Sequence, residues 1–577
     1  MPQRPGRVAM LEQFVADGFG YMFGNPGTVE QGFLDSLESF RGGELRYVLC
    51  LQESIAVAIA DGYARAARRP ALVQLHAGVG LGNGIGMLYQ AFRGHTPLVV
   101  IAGDSGVRYD AMDAQMAADL VAMARPVTKW ATRVSDPDSL LRVLRRAVKI
   151  ALTPPSGPVF VNVPMDILDA PNTEEVVPAS IPDTRVAPDQ SRIREAAEML
   201  RGATTAVIFM GDGIAASQAQ AELAQVAELL GAEVWGVDSS EVNIAADHPL
   251  FCGLTGHMFG EQSRPLSARA DAVLICGTYL YPEVFPTLTS IFAPGARVIH
   301  IDLNTYEIAK NFPVTCGLLG DPKRSLGMLA DAIAASQSGE EHRAAQERAR
   351  RIGEANRAAR ERALDASREV RDVVPLHFSR FAEELARALP DDALVFDEAL
   401  THSPELTRHL PPNKPGSYFQ TRGGSLGVGI PGAIGLKLAH PEKVVFGFTG
   451  DGGSMYTIQA LWSAAHLRQT MPHVRMDPKF VVCNNRSYRI LKLNILQYWK
   501  ERNLPAHGFP ASFELGRPNL RFDAIARSMD VEAERVEKPD QVGPAIRRAM
   551  DHPGPYLIDV VIAGDVPGAL VGCKCGQ

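Results

Sequence analysis

The chain has 577 residues, 46% hydrophobic and 21% charged, with 58 Lys and Arg against 65 Asp and Glu for a formal net charge of −7. That length is room for about three or four domains with sizeable cores. The balance excludes the dominant cationic surface that a nucleic acid or anionic membrane needs, and no apolar run reaches the ~18 residues of a bilayer span. Glu12, Gln13 and Asp17 interrupt the N-terminal apolar stretch, which therefore does not read as a secretory signal. Seven cysteines form no disulfide framework, and Cys573 and Cys575 make a CxC in what reads as a frayed tail. A cytoplasmic enzyme is the expectation.

In chain order, short β-rich runs alternate with amphipathic segments. YVLC (47–50), ALVQL (71–75), LVVIAG (98–103) and PVFVNVP (158–164) fall in a first block, residues 1–170. A polar, proline-rich connector (168–190) leads to a second block, 190–336, with TTAVIFMGDG (204–213), AEVWGV, AVLICG and RVIHIDL. Residues 337–372, dense in Arg, Glu and Ala, predict a solvated helix. A third block, 373–577, carries DALVFDE, KVVFGFTGDG, KFVVCNN and PYLIDVVIAG. Near-continuous apolar strands separated by helices mean parallel sheets covered on both faces, so the fold class is α/β with three doubly wound domains.

The most informative segment is VVFGFTGDGGSMYTIQALWSAAHLRQ followed by KFVVCNNRSY. An apolar strand ends in Gly450-Asp451-Gly452-Gly453, a helix follows at about 455–468, and a second apolar strand ends in Asn484-Asn485. Ligands of open parallel sheets collect outside the carboxyl ends of strands. Gly452 and Gly453 let a phosphate approach the backbone, and the helix N-terminus offers N–H groups to an anion. Asp451 and Asn485 supply hard oxygens of the kind Mg²⁺ prefers.

This strand-GDGG-helix-strand-NN pattern resembles the signature of thiamine diphosphate-dependent enzymes. The resemblance covers nearly the whole chain, nearest to the benzoylformate decarboxylases, with the acetolactate synthases next. It implies that Asp451, Asn485 and the Ser487 carbonyl hold Mg²⁺, and that Gly450, Ser454 and Tyr488 lie beside the cofactor. RGGSLGVGIPGAIGLKLA (422–439) is similar to the segment that bends the cofactor, with Leu426 as the wedge and the Gly424 carbonyl as an acceptor. Thr401 and Ser403, in DEALTHS, match the loop that contacts the diphosphate, and an N-cap role is the plain alternative. RQTMPHVRMDPK (468–479) reads as a surface insertion at the far end of the sheet.

The family needs a glutamate that activates the aminopyrimidine, so that the thiazolium C2 proton can leave. Glu53, in LCLQESIAVAIADGYARA, matches it. By itself, Glu53 is also an ordinary first-turn carboxylate. His76, in QLHAGVGLGN, matches a histidine of the benzoylformate decarboxylases and suits proton exchange near neutrality, though a turn cap would place it equally well. Thr28, in NPGTVEQGF, sits where those enzymes use a serine on the substrate carboxylate. Their second histidine has no counterpart in CGTYLYPEVFP (276–286), where Tyr281 is the candidate donor. Arg489 and Lys492 read as solvated helix charges; were they to point inward, a second anionic group on the substrate would be implied.

The resemblance implies a homo-oligomer, a dimer sharing its active sites or a tetramer of such dimers, acting on a small 2-oxo acid with no nucleic acid or membrane partner. The central domain lacks a full dinucleotide fingerprint, Asp302 being weak evidence alone, so no nucleotide is expected there. The reading is non-oxidative decarboxylation to an aldehyde and CO₂. Its rivals are an acetolactate synthase-like carboligase, a nucleotide-dependent oxidoreductase and a binding protein without turnover.

Overall fold

The computed structural model describes residues 3–40, 44–255, 260–564 and 566, so the CxC tail lies outside the described residues. Three six-stranded sheets organise the chain, and every strand pair within them is parallel. The first runs Arg46–Leu49, Tyr21–Gly24, Ala71–Leu75, Leu98–Ala102, Val159–Asn162, Trp130–Arg133. The third runs Tyr418–Gln420, Leu394–Glu398, Val445–Gly450, Lys479–Asn484, Tyr556–Val561, Glu532–Val536. By order of appearance both read 2-1-3-4-6-5. The middle sheet, from Phe251–Leu254 through Ala206–Met210 to Cys316–Leu319, reads 3-2-1-4-5-6.

The strands form where the sequence is apolar and β-branched, and several, including Ala71–Leu75, Leu98–Ala102 and Lys479–Asn484, are buried along their whole length. One continuous apolar core spans the first and third domains, taking in Phe23, Ile55 and Leu75 with Phe396, Ile434 and Phe480; the middle domain has cores of its own. The helices Glu53–Ala67 and Gly429–Ala439 cross backbone to backbone, because a Cβ on Gly62 would fall 2.4 Å from the Gly432 carbonyl oxygen. The charged stretch is a 31-residue helix, Gly339–Glu369, opened by a Ser338/Glu341 capping box.

In each sheet strand order reverses beside its first strand, the place where open α/β sheets bind ligands beyond the strand ends. In the first sheet that place lies between Tyr21–Gly24 and Ala71–Leu75, in the third between Leu394–Glu398 and Val445–Gly450. The sequence-predicted residues fall at these two crevices. The five described cysteines are free, and no described helix is long and apolar enough to cross a membrane.

Candidate functional site

At the third-domain crevice, the strand Val445–Gly450 turns into the short helix Asp451–Ser454. Asp451 is buried, its Oδ1 accepting from Gly452 N (2.8 Å) and its Oδ2 from Ser487 N (3.3 Å). No lysine or arginine pairs with it among the described residues, and burial pushes its carboxyl up to about 6. Asn485 follows the next strand, and its Oδ1 accepts from Ser487 N at 3.0 Å. The Ser487 Oγ is buried and unpartnered, while its carbonyl accepts from Arg489 N at 2.9 Å. The helix expected at about 455–468 forms only over Ala460–Thr470. Residues 455–459 make i→i+3 turns instead, pinned by the Thr457 hydroxyl on the Gly427 carbonyl (2.5 Å).

The glycine-rich turn before the helix Gly429–Ala439 is held by a residue that sequence reading passed over. Glu398 is buried, accepting from Gly427 N (2.5 Å) and Gly429 N (2.7 Å) and from the Thr449 hydroxyl (3.1 Å). Desolvation lifts its carboxyl to about 7 despite these donors. Gly424 lies exposed and Leu426 half-buried on the turn that Glu398 fixes. Thr401 is half-buried and Ser403 buried; Ser403 begins the helix Ser403–His409 without a side-chain cap bond at its N-cap. His402, between them, is buried with Nε2 at 3.3 Å from Asn485 Nδ2. Burial, then Arg489 and His377, keep this imidazole well below its ordinary range.

At the first-domain crevice, Glu53 opens its helix, with Gln52 as N-cap accepting from Ser54 N. Its buried carboxylate accepts from Asn25 Nδ2 (3.2 Å), in the turn after the strand Tyr21–Gly24, and from Asn83 Nδ2 (3.0 Å), on the helix Ala77–Arg93. His76 ends the strand Ala71–Leu75 at an N-cap position, yet its side chain caps nothing. Its Nδ1 lies 2.8 Å from Glu30 Oε2, which also accepts from Gly27 N at 2.9 Å. Burial raises the Glu30 carboxyl, and His76 opposes that shift. Two glycines make the arrangement possible. A Cβ on Gly27 would fall 2.2 Å from the His76 ring, and one on Gly80 would lie 3.0 Å from Glu53 Oε1 and 3.2 Å from His76 Cβ. Thr28 is exposed at the same crevice.

Glu53, His76 and Glu30 thus lie within the first domain, and Asp451, Asn485 and Glu398 within the third. Apolar side chains stand exposed beside both groups: Leu51 and Val79 in the first, Met455, Tyr456 and Leu491 in the third. Three side chains differ from the sequence expectation. Arg489 and Lys492 are buried, not solvated: Arg489 NH1 lies 3.3 Å from His402 Nδ1, and Lys492 Nζ pairs with Glu514 at 2.7 Å because the 510–515 loop bridges back to Ser487. Tyr281 is a core residue, its hydroxyl 2.7 Å from Ser267 Oγ and its ring edge-on to Phe312.

A buried oxygen-donor pair beside a glycine-rich turn in one α/β domain, and a carboxylate with an imidazole in a second domain of like topology, make an arrangement suited to a diphosphate-bearing cofactor. Three profiles of the thiamine pyrophosphate enzyme family match the chain: the N-terminal TPP binding domain over residues 5–123, the central domain over 193–329 and the C-terminal TPP binding domain over 401–560. The chain belongs to this family. It is 30% identical over 549 residues to a benzoylformate decarboxylase of Pseudomonas aeruginosa, covering 94% of this chain and 96% of that one. It is also 26% identical to an acetolactate synthase large subunit of Haemophilus influenzae, over 87% of this chain and 85% of the other. Among solved structures, a 4-hydroxybenzoylformate decarboxylase of Rhodococcus jostii superposes with a TM-score of 0.82 at 25% identity, over 97% of this chain and all of that one.

The residues present fit the cofactor and ion that this family implies. A buried carboxylate without a cation, an amide oxygen and a backbone carbonyl converge at Asp451, Asn485 and Ser487, a set suited to a hard divalent ion. Among the described residues no three of His, Cys, Asp and Glu gather as a softer metal would want.

Proposed function

We propose that the protein is a thiamine diphosphate- and Mg²⁺-dependent decarboxylase of 2-oxo acids, of the benzoylformate decarboxylase kind, releasing an aldehyde and CO₂. In this reading Asp451, the Asn485 amide oxygen and the Ser487 carbonyl hold the ion. The Asp451–Ser454 turn, with Gly450, Gly452 and Gly453 and with Thr401, Ser403 and Tyr488 nearby, receives the diphosphate. Gly424 and Leu426, on the turn clamped by Glu398, meet the organic part. Bound there, thiamine diphosphate supplies the electron sink for the bond to the departing carboxylate.

The chain's own contribution is position and protons. Asn25 and Asn83 fix the Glu53 carboxyl so that it can hold or release a proton at one oxygen toward the coenzyme's ring. Glu30 takes the Nδ1–H of His76 and leaves Nε2 as the atom that exchanges a proton with substrate. The Thr28 hydroxyl is available to the substrate carboxylate. The observation that carries the decarboxylase reading is the Glu30–His76 pair, a buried carboxylate orienting an imidazole close to Glu53. The exposed apolar residues flanking both crevices support a homo-oligomer in which the first domain of one protomer closes on the third domain of another.

A second reading, carboligation by an acetolactate synthase-like route, is favoured by one feature. The middle-domain loop after Tyr281 exposes Val284 and Phe285, each 56% accessible, and offers no second imidazole for proton transfer. Incubation with aromatic, branched and dicarboxylic 2-oxo acids, with and without thiamine diphosphate, separates the two. Aldehyde and CO₂ that require the cofactor support decarboxylation, and a branched hydroxy-keto acid as main product overturns it.

A further inference from the structure

A cavity of about 380 Å³ opens where the middle domain, the long helix Gly339–Glu369 and the third domain meet. Part of its wall is cationic. Arg360, from the long helix, donates to the Ala246 carbonyl (2.6 Å), and Arg408, from the helix Ser403–His409, donates to the Ser367 hydroxyl (2.9 Å). Both of these bonds go to neutral oxygens, so neither cancels a positive charge. The wall's carboxylate, Glu241, is engaged by Arg65 at 3.3 Å. Elsewhere the wall combines apolar side chains, among them Val242, Ile244, Phe251 and Leu254, with uncharged polar ones such as Asn243 and Asn356. A space of this size that brings apolar side chains together with convergent polar and cationic groups has the character of a small-molecule site, and guanidinium groups match carboxylates in shape and charge.

We propose that this cavity binds a small carboxylate with an apolar tail, about the size of an arylacetate, and that its occupancy stiffens the diphosphate side of the coenzyme crevice. Two covalent and hydrogen-bonded routes join the places. Ser403 lines the cavity and belongs to the loop proposed to meet the diphosphate. Tyr418 and Gln420 also line it, and both donate to Asp397, at 2.5 and 3.1 Å. Asp397 is the chain neighbour of Glu398, which clamps Gly427 and Gly429. The inference goes beyond the catalytic reading and does not depend on which 2-oxo acid is used.

Calorimetric titration of the thiamine diphosphate- and Mg²⁺-loaded protein tests it, with phenylacetate and 3-phenylpropanoate as probes and phenylmethanol as neutral control. Saturable binding of both carboxylates and none of the alcohol is the expected result. Arg360→Met should weaken it about tenfold to a hundredfold, the worth of one charge-assisted hydrogen bond, and Ala363→Trp should abolish it by filling the space. The two substitutions act independently, so misfolding of one leaves the other informative. Phenylacetate should also slow coenzyme loss during gel filtration of the wild type but not of Arg360→Met. No saturable heat, or binding undiminished in both variants, overturns the site. Binding without any change in coenzyme loss overturns the coupling.

Discussion

Gly-Asp-Gly occurs twice at the end of an apolar strand, and the two copies do opposite things. In the middle domain, Asp212 of Gly211-Asp212-Gly213 is saturated. It accepts from Ser240 N and Oγ, Asn243 Nδ2 and the Arg422 guanidinium, the last at 2.5 Å. Against its burial, Arg422, Ser240 and Asn243 hold this carboxyl below the usual range. Arg422 comes from the third domain, and Arg65 of the first bonds the same Ser240, so this turn is a three-domain joint. In the third domain, Asp451 has two backbone amides and no cation, and burial pushes it up to about 6. The same tripeptide is thus tied into structure by a cation in one domain and left, among the described residues, without a cation partner in the other. What distinguishes them is the partner set, not the motif.

Substitutions should break this contrast in opposite directions. The largest effect is expected from Asp451→Ala: partners one step removed from a metal are worth ten- to a hundredfold, so loss of a direct ligand should weaken Mg²⁺-dependent coenzyme binding by more than about a hundredfold. Melting of the coenzyme-free protein should stay level, since an unpaired buried carboxylate is removed. Glu53→Gln should lower kcat about a hundredfold to ten-thousandfold while coenzyme binding persists, the range for a lost proton-transfer group. Asp212→Ala should do the reverse of Asp451→Ala. It removes the nearer of the two carboxylates on the half-buried Arg422, leaving Asp238 at 3.5 Å, and should cost about 3 kcal/mol in denaturant melts, with activity per folded molecule nearly kept.

Smaller effects sharpen the picture. Glu30→Gln should retain coenzyme but lower turnover about tenfold or more, because the His76 imidazole loses the carboxylate that orients it. The two turns should also separate along pH. The folded Asp451 carboxyl is raised, so it protonates below about pH 6, and apparent Mg²⁺ affinity should fall about tenfold per unit there and be level above pH 7. Asp212 is depressed, so its contribution to stability is present above the ordinary carboxylate value near 3.8 and lost only as pH falls through its lower folded value. Calorimetry at pH 5, 6 and 7.5 and acid titration of the melting point check both.

The chemistry-bearing residues that sequence exposed were those tied to a local pattern. The strand before GDGG, the strand before NN, and Glu53 opening a helix are each visible within a dozen residues. The residues that hold them were not, because their partners are distant in the chain. Glu30 meets His76 across 46 positions, and Asn25 and Asn83 meet Glu53 across 28 and 30. Glu398 sits three residues before Thr401, and an acid at a strand end ahead of a glycine-rich turn was the available signal. Arg489 and Lys492 could not be placed from their own helix, since Arg489 is buried against His402 and Lys492 against the 510–515 loop, both distant in the chain.

Complementation between inactive chains tests the account most directly. Glu53→Gln and Asp451→Ala proteins, each inactive alone, are co-expressed and assayed for coenzyme-dependent CO₂ release. If Glu53 of one protomer serves the Asp451 crevice of another, random pairing leaves one intact site in each mixed dimer and restores about a quarter of wild-type activity. Activity no higher than that of either parent would contradict the shared site.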